Sequence, residues 1–359
     1  MINIDFLMVI FVLIGLLWAF TRFYLRGAAD LGVYDGAPEV LMRPAGVGPS
    51  EGHFKVLEML NERRASRPKV SFKEMVPAMR ANIDEFGKAV SLEGLRVIPV
   101  DVDGVPAEWV LAEDADPNRR LLYIHGGAFM AGSPLSHRAI TSRLAKSYGT
   151  SVLAVDYRLQ PEHRRLDCLV DCQTAYQWIL ANGPDGPSTV ETLFVAGDSA
   201  GALLVLSVTA WARDEGLRPA NAAIALSPPV DGTCTSASMR TNIPTDPMLG
   251  PDFGKLMKLP NWLLLWYGYF SNRARPCIPW LSPIHGDLSN LPPTLIHASQ
   301  AEMFYDDACR YVNKATSSGT EAVLQVWPHM LHVWHIFHDA IPEADEAFGH
   351  IERFMDSRS

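Results

Sequence analysis

Short apolar runs alternate with longer amphipathic stretches along most of this chain. Leu121-Leu122-Tyr123-Ile124, Val152-Leu153-Ala154-Val155, Leu193-Phe194-Val195-Ala196, Ala222-Ala223-Ile224-Ala225-Leu226, Thr294-Leu295-Ile296 and Ala322-Val323-Leu324-Gln325-Val326 each read as a strand. Helical patterns follow at about 137–148, 166–181, 200–210 and 344–355. Nearly unbroken apolar runs suit strands covered on both faces, and strands alternating with helices imply βαβ units and a mostly parallel sheet. Two alternating strands, Leu95–Val100 and Ala107–Leu111, come before them. Residues 53–89 give two further helical patterns, broken near Arg67-Pro68, whose charged and apolar faces suit a lid. Residues 230–285 interrupt the rhythm with several prolines and the aromatics Trp262, Trp266, Tyr267, Tyr269 and Phe270. That stretch reads as an inserted cap supplying an apolar wall, with membrane contact as the alternative.

The chain opens differently. Phe6 to Phe20 is an apolar run followed by Arg22 and Arg26. At 1.5 Å per residue it spans only about 22 Å, and counting from Ile2 to Leu25 is needed to match a hydrocarbon core of roughly 30 Å. Asp5 and the lack of an early Lys or Arg fit a cleaved signal poorly. We expect an uncleaved membrane anchor over 1–26, with Arg22, Arg26 and Arg43 placing the bulk of the chain in the cytoplasm. The Gly- and Pro-rich residues 27–50 read as a linker. An α/β body over 51–357 remains, with cap segments at about 51–90 and 230–285.

Composition narrows the partners. The 359 residues carry a net charge of −9 with no basic cluster, which argues against nucleic acid. Five scattered cysteines do not make a disulfide framework. Cys168 and Cys172, four apart, share a helix face and read as buried small residues rather than as metal ligands. The oligomeric state is left open by the sequence, a homodimer included.

Two motifs carry the candidate chemistry. Gly197-Asp198-Ser199-Ala200-Gly201 stands between an apolar strand and a helix of small and aliphatic residues. A turn too tight for side chains at both glycines pushes the Ser199 hydroxyl out of the sheet, and the helix aims free N–H groups at the same point. His125-Gly126-Gly127-Ala128 directly follows the strand ending at Ile124, where two glycines can turn backbone N–H groups outward to meet an oxyanion.

HGGA, then Asp156-Tyr157-Arg158-Leu159-Gln160-Pro161-Glu162-His163, then GDSAG together resemble the hormone-sensitive-lipase-like branch of the α/β-hydrolases, a group of bacterial carboxylesterases. Leu226-Ser227-Pro228, Met239–Asn242, Asp246–Leu249, Leu291–Thr294 and Met330-Leu331-His332-Val333-Trp334 extend the resemblance to roughly residues 50–357. It implies an α/β-hydrolase fold: a mostly parallel central sheet with helices on both faces and a helical cap, here added to the N-terminal anchor. It also implies hydrolysis of short- or medium-chain carboxylic esters, including acetyl esters and lactones, with no metal or cofactor.

In that family the chain order is serine, acid, histidine. His332 holds the histidine place of the M-x-H-V-W pattern, and His329 in the same loop is its rival. His335 and His338 are expected on the following helix, at the surface or core edge. Aligning the trailing acid pair Asp306-Asp307 places Glu302 at the acid position, thirty residues before His332. Asp306 and Asp307 then begin a helix, Asp246 falls in the cap, and Asp156 is expected to fix its own loop. The catalytic set is thus Ser199, Glu302 and His332, with N–H groups of Gly126, Gly127 and Ala200 as the oxyanion hole. Two other readings stay open: an amidase or deacetylase on small amides, and a non-catalytic binding protein on the same scaffold.

Overall fold

Strands that are apolar throughout have no face to offer water, so they are drawn to the middle of a covered sheet. The computed structural model describes residues 4–359 except Glu39, Pro44, Ala45, Phe72 and Tyr148, and the side chains of residues 4–7 are not described. Ile2 and Tyr148, expected at the ends of two helices, therefore lie outside the described residues. In chain order the strands are β1 (Val40–Leu41), β2 (Leu95–Val102), β3 (Val105–Ala112), β4 (Asp116–Ile124), β5 (Thr150–Val155), β6 (Asn182–Gly183), β7 (Gly186–Pro187), β8 (Thr192–Asp198), β9 (Ala222–Leu226), β10 (Thr294–Ser299) and β11 (Ala322–Trp327). β6 and β7 form a small separate hairpin. The other nine make one sheet in the order β1-β11-β10-β9-β8-β4-β5-β3-β2. β3 runs antiparallel to β2 and β5, and every other pairing is parallel. The carboxyl ends of β4, β8, β9, β10 and β11 therefore open on one edge.

The helices are α1 (Ile4–Ala19), α2 (Glu51–Ala65), α3 (Met75–Lys88), α4 (Arg138–Ala145), α5 (Arg165–Ala181), α6 (Ala200–Asp214), α7 (Ser238–Thr241), α8 (Gly250–Met257), α9 (Asn261–Asn272), α10 (Tyr305–Ser317) and α11 (Pro342–Asp356). The period-2 rule divides the core between them. In β8, Leu193 and Val195 pack with α5 and α6 on one face, while Phe194 and Ala196 pack with Ile140 of α4 and Phe348 of α11 on the other. Cys168 and Cys172 are buried in the first of these cores. Burial pushes the Cys168 thiol up to about 12, as befits a packing residue.

The segment expected as a linker is pinned to the body instead. Leu31 is buried against α10, Asn313 donates to the Tyr34 carbonyl at 2.9 Å, and Arg310 pairs with Asp35. β1 extends the sheet beside β11, Arg43 bridges Glu343 and Glu346, and Ser50 caps α2 while bonding Glu343 at 2.7 Å. Gly and Pro denied this stretch a long helix, but single well-placed side chains still dock it.

Within the predicted cap at 230–285 stand α7, α8 and α9. Of the other predicted cap helices, α2 sets Val56 into a cluster with Trp327 and Trp334. α3 braces the loop after HGGA: Arg80 donates to the carbonyls of Met130 and Gln160, and Asp84 accepts from Ser133 at 2.6 Å.

Candidate active site

The turn between β8 and α6 explains why both glycines stand there. A Cβ on Gly197 would meet the Ile124 carbonyl oxygen at 2.5 Å, and one on Gly201 would meet it at 1.9 Å. The elbow is packed that closely against the end of β4. Ser199 itself adopts φ 50°, ψ −119°, a strained conformation for a residue with a side chain, held by its N–H donating to Leu226 O at 2.7 Å.

Asp198, between elbow glycine and serine, is the residue the sequence reading passed over. It is buried, and its carboxylate accepts from Tyr123 Oη at 2.6 Å and from the Gly126 N–H at 3.0 Å, with His137 Nε2 at 3.3 Å. Burial opposes its charge, but His137 and these hydrogen bonds outweigh burial and hold its pKa below the usual value. A carboxylate beside the nucleophile, at the end of an apolar strand, was the available signal. Its consequence is a correction: the Gly126 N–H, expected in the oxyanion hole, is spent on Asp198. A Cβ on Gly126 would lie 2.2 Å from that carboxylate, so this glycine serves close approach. Gly127, at φ 115°, and Ala128, at φ 55°, turn the chain away, and among the described residues neither N–H has an acceptor. His125 is kept neutral: burial lowers its pKa to about 3, Tyr157 stacks on the ring at 4.3 Å, and Tyr157 Oη bonds the His125 carbonyl at 2.7 Å.

The other two predicted residues meet Ser199. His332 Nε2 lies 2.9 Å from Ser199 Oγ, and His332 Nδ1 lies 2.8 Å from Glu302 Oε2. The second oxygen of Glu302 accepts the Ser299 N–H at 2.8 Å. Glu302 is wholly buried and His332 nearly so. Burial pulls the His332 pKa down, yet the Glu302 hydrogen bond and charge raise it above the ordinary imidazole value. His329 is exposed and has no contact with Ser199. His335, expected near the surface, is fully buried, with Nε2 3.1 Å from His297 Nδ1; the short helix after the His332 loop points it into the core. Asp307 accepts the N–H groups of Val230 and Asp231, and Asp306 accepts that of Ser238. Asp156 is exposed and does not fix its loop; Asp171 does, through Arg158 at 2.7 Å.

The cap segment grips the acid loop. Asn242 Nδ2 donates to the carbonyls of Gln300 and Glu302 at 2.8 and 2.9 Å, and Asp246 accepts the Met303 N–H at 2.9 Å. Asp246 is nevertheless buried and structural here, although its Asp-Pro sequence imitates an acid motif.

With that geometry in place, comparison with known proteins is decisive. A family model described as alpha/beta hydrolase fold matches residues 121–336. This chain belongs to the α/β-hydrolase family. An acetyl-hydrolase of Streptomyces hygroscopicus is 37% identical over 249 residues, 69% of this chain and 78% of that protein. An esterase of Acinetobacter venetianus is 30% identical over 266 residues, 73% of this chain and 82% of its own. A crystal structure of an esterase from the bacterial hormone-sensitive lipase family superposes with a TM-score of 0.74 at 30% identity, covering 87% of this chain and 99% of that one. The protein is therefore a carboxylic ester hydrolase of the hormone-sensitive-lipase-like branch.

Proposed function

We propose that the chain hydrolyses short- to medium-chain carboxylic esters, acetyl esters and lactones among them, through an acyl-enzyme on Ser199. The observation that carries this reading is the unbroken relay Ser199 Oγ–His332 Nε2, His332 Nδ1–Glu302 Oε2 at 2.9 and 2.8 Å. Ser199 Oγ attacks the ester carbonyl carbon while Nε2 takes its proton. Glu302 holds Nδ1–H and stabilises the imidazolium. The carbonyl oxygen becomes an oxyanion facing N–H groups of Gly127, Ala128 and Ala200, the last at the amino end of α6. Collapse breaks the C–O bond, and the departing alcohol takes the proton from Nε2. Water then repeats the sequence on the acyl group and restores the serine hydroxyl. The test is turnover of p-nitrophenyl esters graded from acetyl to long acyl chains, beside the matching anilides. Fastest turnover on long acyl chains, or on anilides, would remove the substrate class.

The N-terminal helix is proposed to tether this enzyme to a membrane, with the hydrolase body cytoplasmic. Met8–Leu25 has a mean hydropathy of 2.0 and lies almost wholly outside the protein interior. A cleaved signal would not end inside the mature fold, whereas Leu25 is fully buried against the body. Fractionation of the full chain between membranes and supernatant tests the tether.

A further inference from the structure

The described apolar part of α1 is shorter than the hydrocarbon core of a bilayer. From Phe6 to Ala19 it extends about 21 Å at 1.5 Å per residue, against a hydrocarbon core of roughly 30 Å. The helix continues, but as a π-turn from Phe20 to Leu25 that is packed on α9. Phe20 stacks on Trp266 with centroids 5.5 Å apart and meets Tyr269 edge-on at 6.0 Å; Tyr24 reaches Tyr269 at 6.4 Å. Trp266 Nε1 donates to Thr21 Oγ1 at 3.0 Å, and that hydroxyl donates to Leu17 O at 2.8 Å. A bilayer that takes up the candidate span through Leu25 therefore also meets α9.

The outer face of α9 suits that meeting. Trp262, Tyr267 and Phe270 are 56%, 59% and 69% exposed, and Leu259 just before the helix is exposed as well. Phe270 continues the stack that starts on α1, with its ring 5.6 Å from Trp266. The charge along the two segments is one-sided. Residues 253–286 contain no Asp or Glu and carry Lys255, Lys258, Arg273 and Arg275, in a chain whose net charge is −9. Residues 6–29 also lack acids and carry Arg22 and Arg26. Arg275 lies over the Tyr24 ring at 5.8 Å, joining the two basic groups at the foot of α1. Amphipathic rings settle at the headgroup level, and basic residues there are drawn to anionic lipid.

We propose that α9 is a second membrane contact: its Trp262–Tyr267–Phe270 face, rimmed by arginines, lies in the headgroup region of an anionic bilayer beside the inserted α1. This rests on the tether reading. The contact reaches the catalytic machinery through the chain, because Asn261 Nδ2 holds the carbonyls of Thr233 and Cys234, upstream of the Asn242 and Asp246 that grip the acid loop.

The test uses the full chain in vesicles of phosphatidylcholine with a minor share of phosphatidylserine. Cys234, the one native thiol that is not buried, is replaced by serine. Single cysteines Leu13→Cys and Phe270→Cys then carry an environment-sensitive fluorophore, and retained ester hydrolysis certifies the fold. We expect brominated acyl chains to quench both labels severalfold, Leu13 most from deep bromines and Phe270 most from shallow ones. A companion variant, Trp262→Ser with Tyr267→Ser, is expected to weaken quenching at position 270 and leave position 13 unchanged. Quenching at 13 without quenching at 270 overturns the α9 contact and leaves the tether standing; silence at both overturns the two together. If the unlabelled Phe270→Cys chain crosslinks to itself and its label is silent to bromine, a second copy covers this face and the proposal fails.

Discussion

The floor of the catalytic site and the foot of the N-terminal helix depart from ordinary protein anatomy in opposite directions. At the site, charge is enclosed: Asp198 and Glu302 are buried, and each carboxylate oxygen has its own partner. At the foot of α1, apolar area is left outside, with Phe11 71% and Phe23 58% exposed beside the uncovered rings of α9. A buried charge is tolerated only when hydrogen bonds replace the water it lost. Exposed apolar area costs roughly 25 cal/mol per Å² until something covers it. The first region is thus complete within the chain, and the second leaves apolar surface that the proposed membrane contact would cover.

The sharpest way to break the enclosed region is to remove its reacting groups. Ser199→Ala and His332→Ala are each expected to lower ester turnover roughly 10⁴- to 10⁶-fold, because triad members act as a unit. His329→Ala should keep its rate, and the reverse pattern would move the base. Glu302→Gln removes the charge that stabilises the imidazolium and is expected to cost on the order of 10⁴-fold. A loss of tenfold or less there, with collapse in a correctly folded Asp306→Asn, would unseat Glu302.

Next come the residues that only position. Asp246→Asn or Asn242→Ala loosens the acid loop, and a displacement of about 1 Å costs up to roughly 10²-fold. We expect kcat to fall tenfold or more with KM little changed, measured beside thermal unfolding. An unaltered kcat would mean the loop holds itself.

Acidity separates catalysis from stability. His332 must be neutral to act as base, and its pKa lies above 6.5, so kcat/KM should fall as pH drops through that raised value. Its contribution to stability has the opposite sense: it is complete below pH 6.5 and is lost as pH rises through the folded pKa. His125 and His297, each lowered to about 3 by burial, work against it. Below pH 6.5 the unfolded chain takes up protons that these rings refuse, so stability should decline from about pH 6.5 toward about pH 3. Denaturant midpoints across that range check the sign.

The smallest effect on chemistry is expected at the exposed region. A chain starting at Phe20 should hold the membrane far more weakly, through α9 alone, and keep its turnover. A chain starting at Gly27 also strips the cover from Trp266 and Tyr269, and we expect a lower melting temperature with modest loss of rate. Equal melting temperatures for the two would show that the Phe20–Trp266 stack contributes little.

Much of the fold is legible in the sequence. Apolar runs gave the buried strands, and tight Gly-x-Ser-x-Gly punctuation gave the elbow, because both signals are local: a strand buried on both faces must be apolar, and a crowded turn must lack Cβ atoms. The linker reading at 27–50 failed for the converse reason. Gly and Pro report what a segment cannot form, while Leu31, Asp35, Arg43 and Ser50 find partners hundreds of residues away.

By itself the sequence determined which residues could do chemistry: a serine on an elbow, a histidine and a glutamate in loops after later strands, and a strand-end Gly-Gly pair. Only the tertiary structure decided how their hydrogen-bonding capacity is divided. It gave the Gly126 N–H to Asp198 rather than to an oxyanion, chose His332 over His329 by distance to Ser199, and made Asp246 a brace for the acid loop. It also laid α9 against the foot of α1. Residue type is written along the chain, but each N–H and each carboxylate oxygen spends its bonds on whatever the fold brings within about 3 Å, and that neighbour is set by packing far away in sequence.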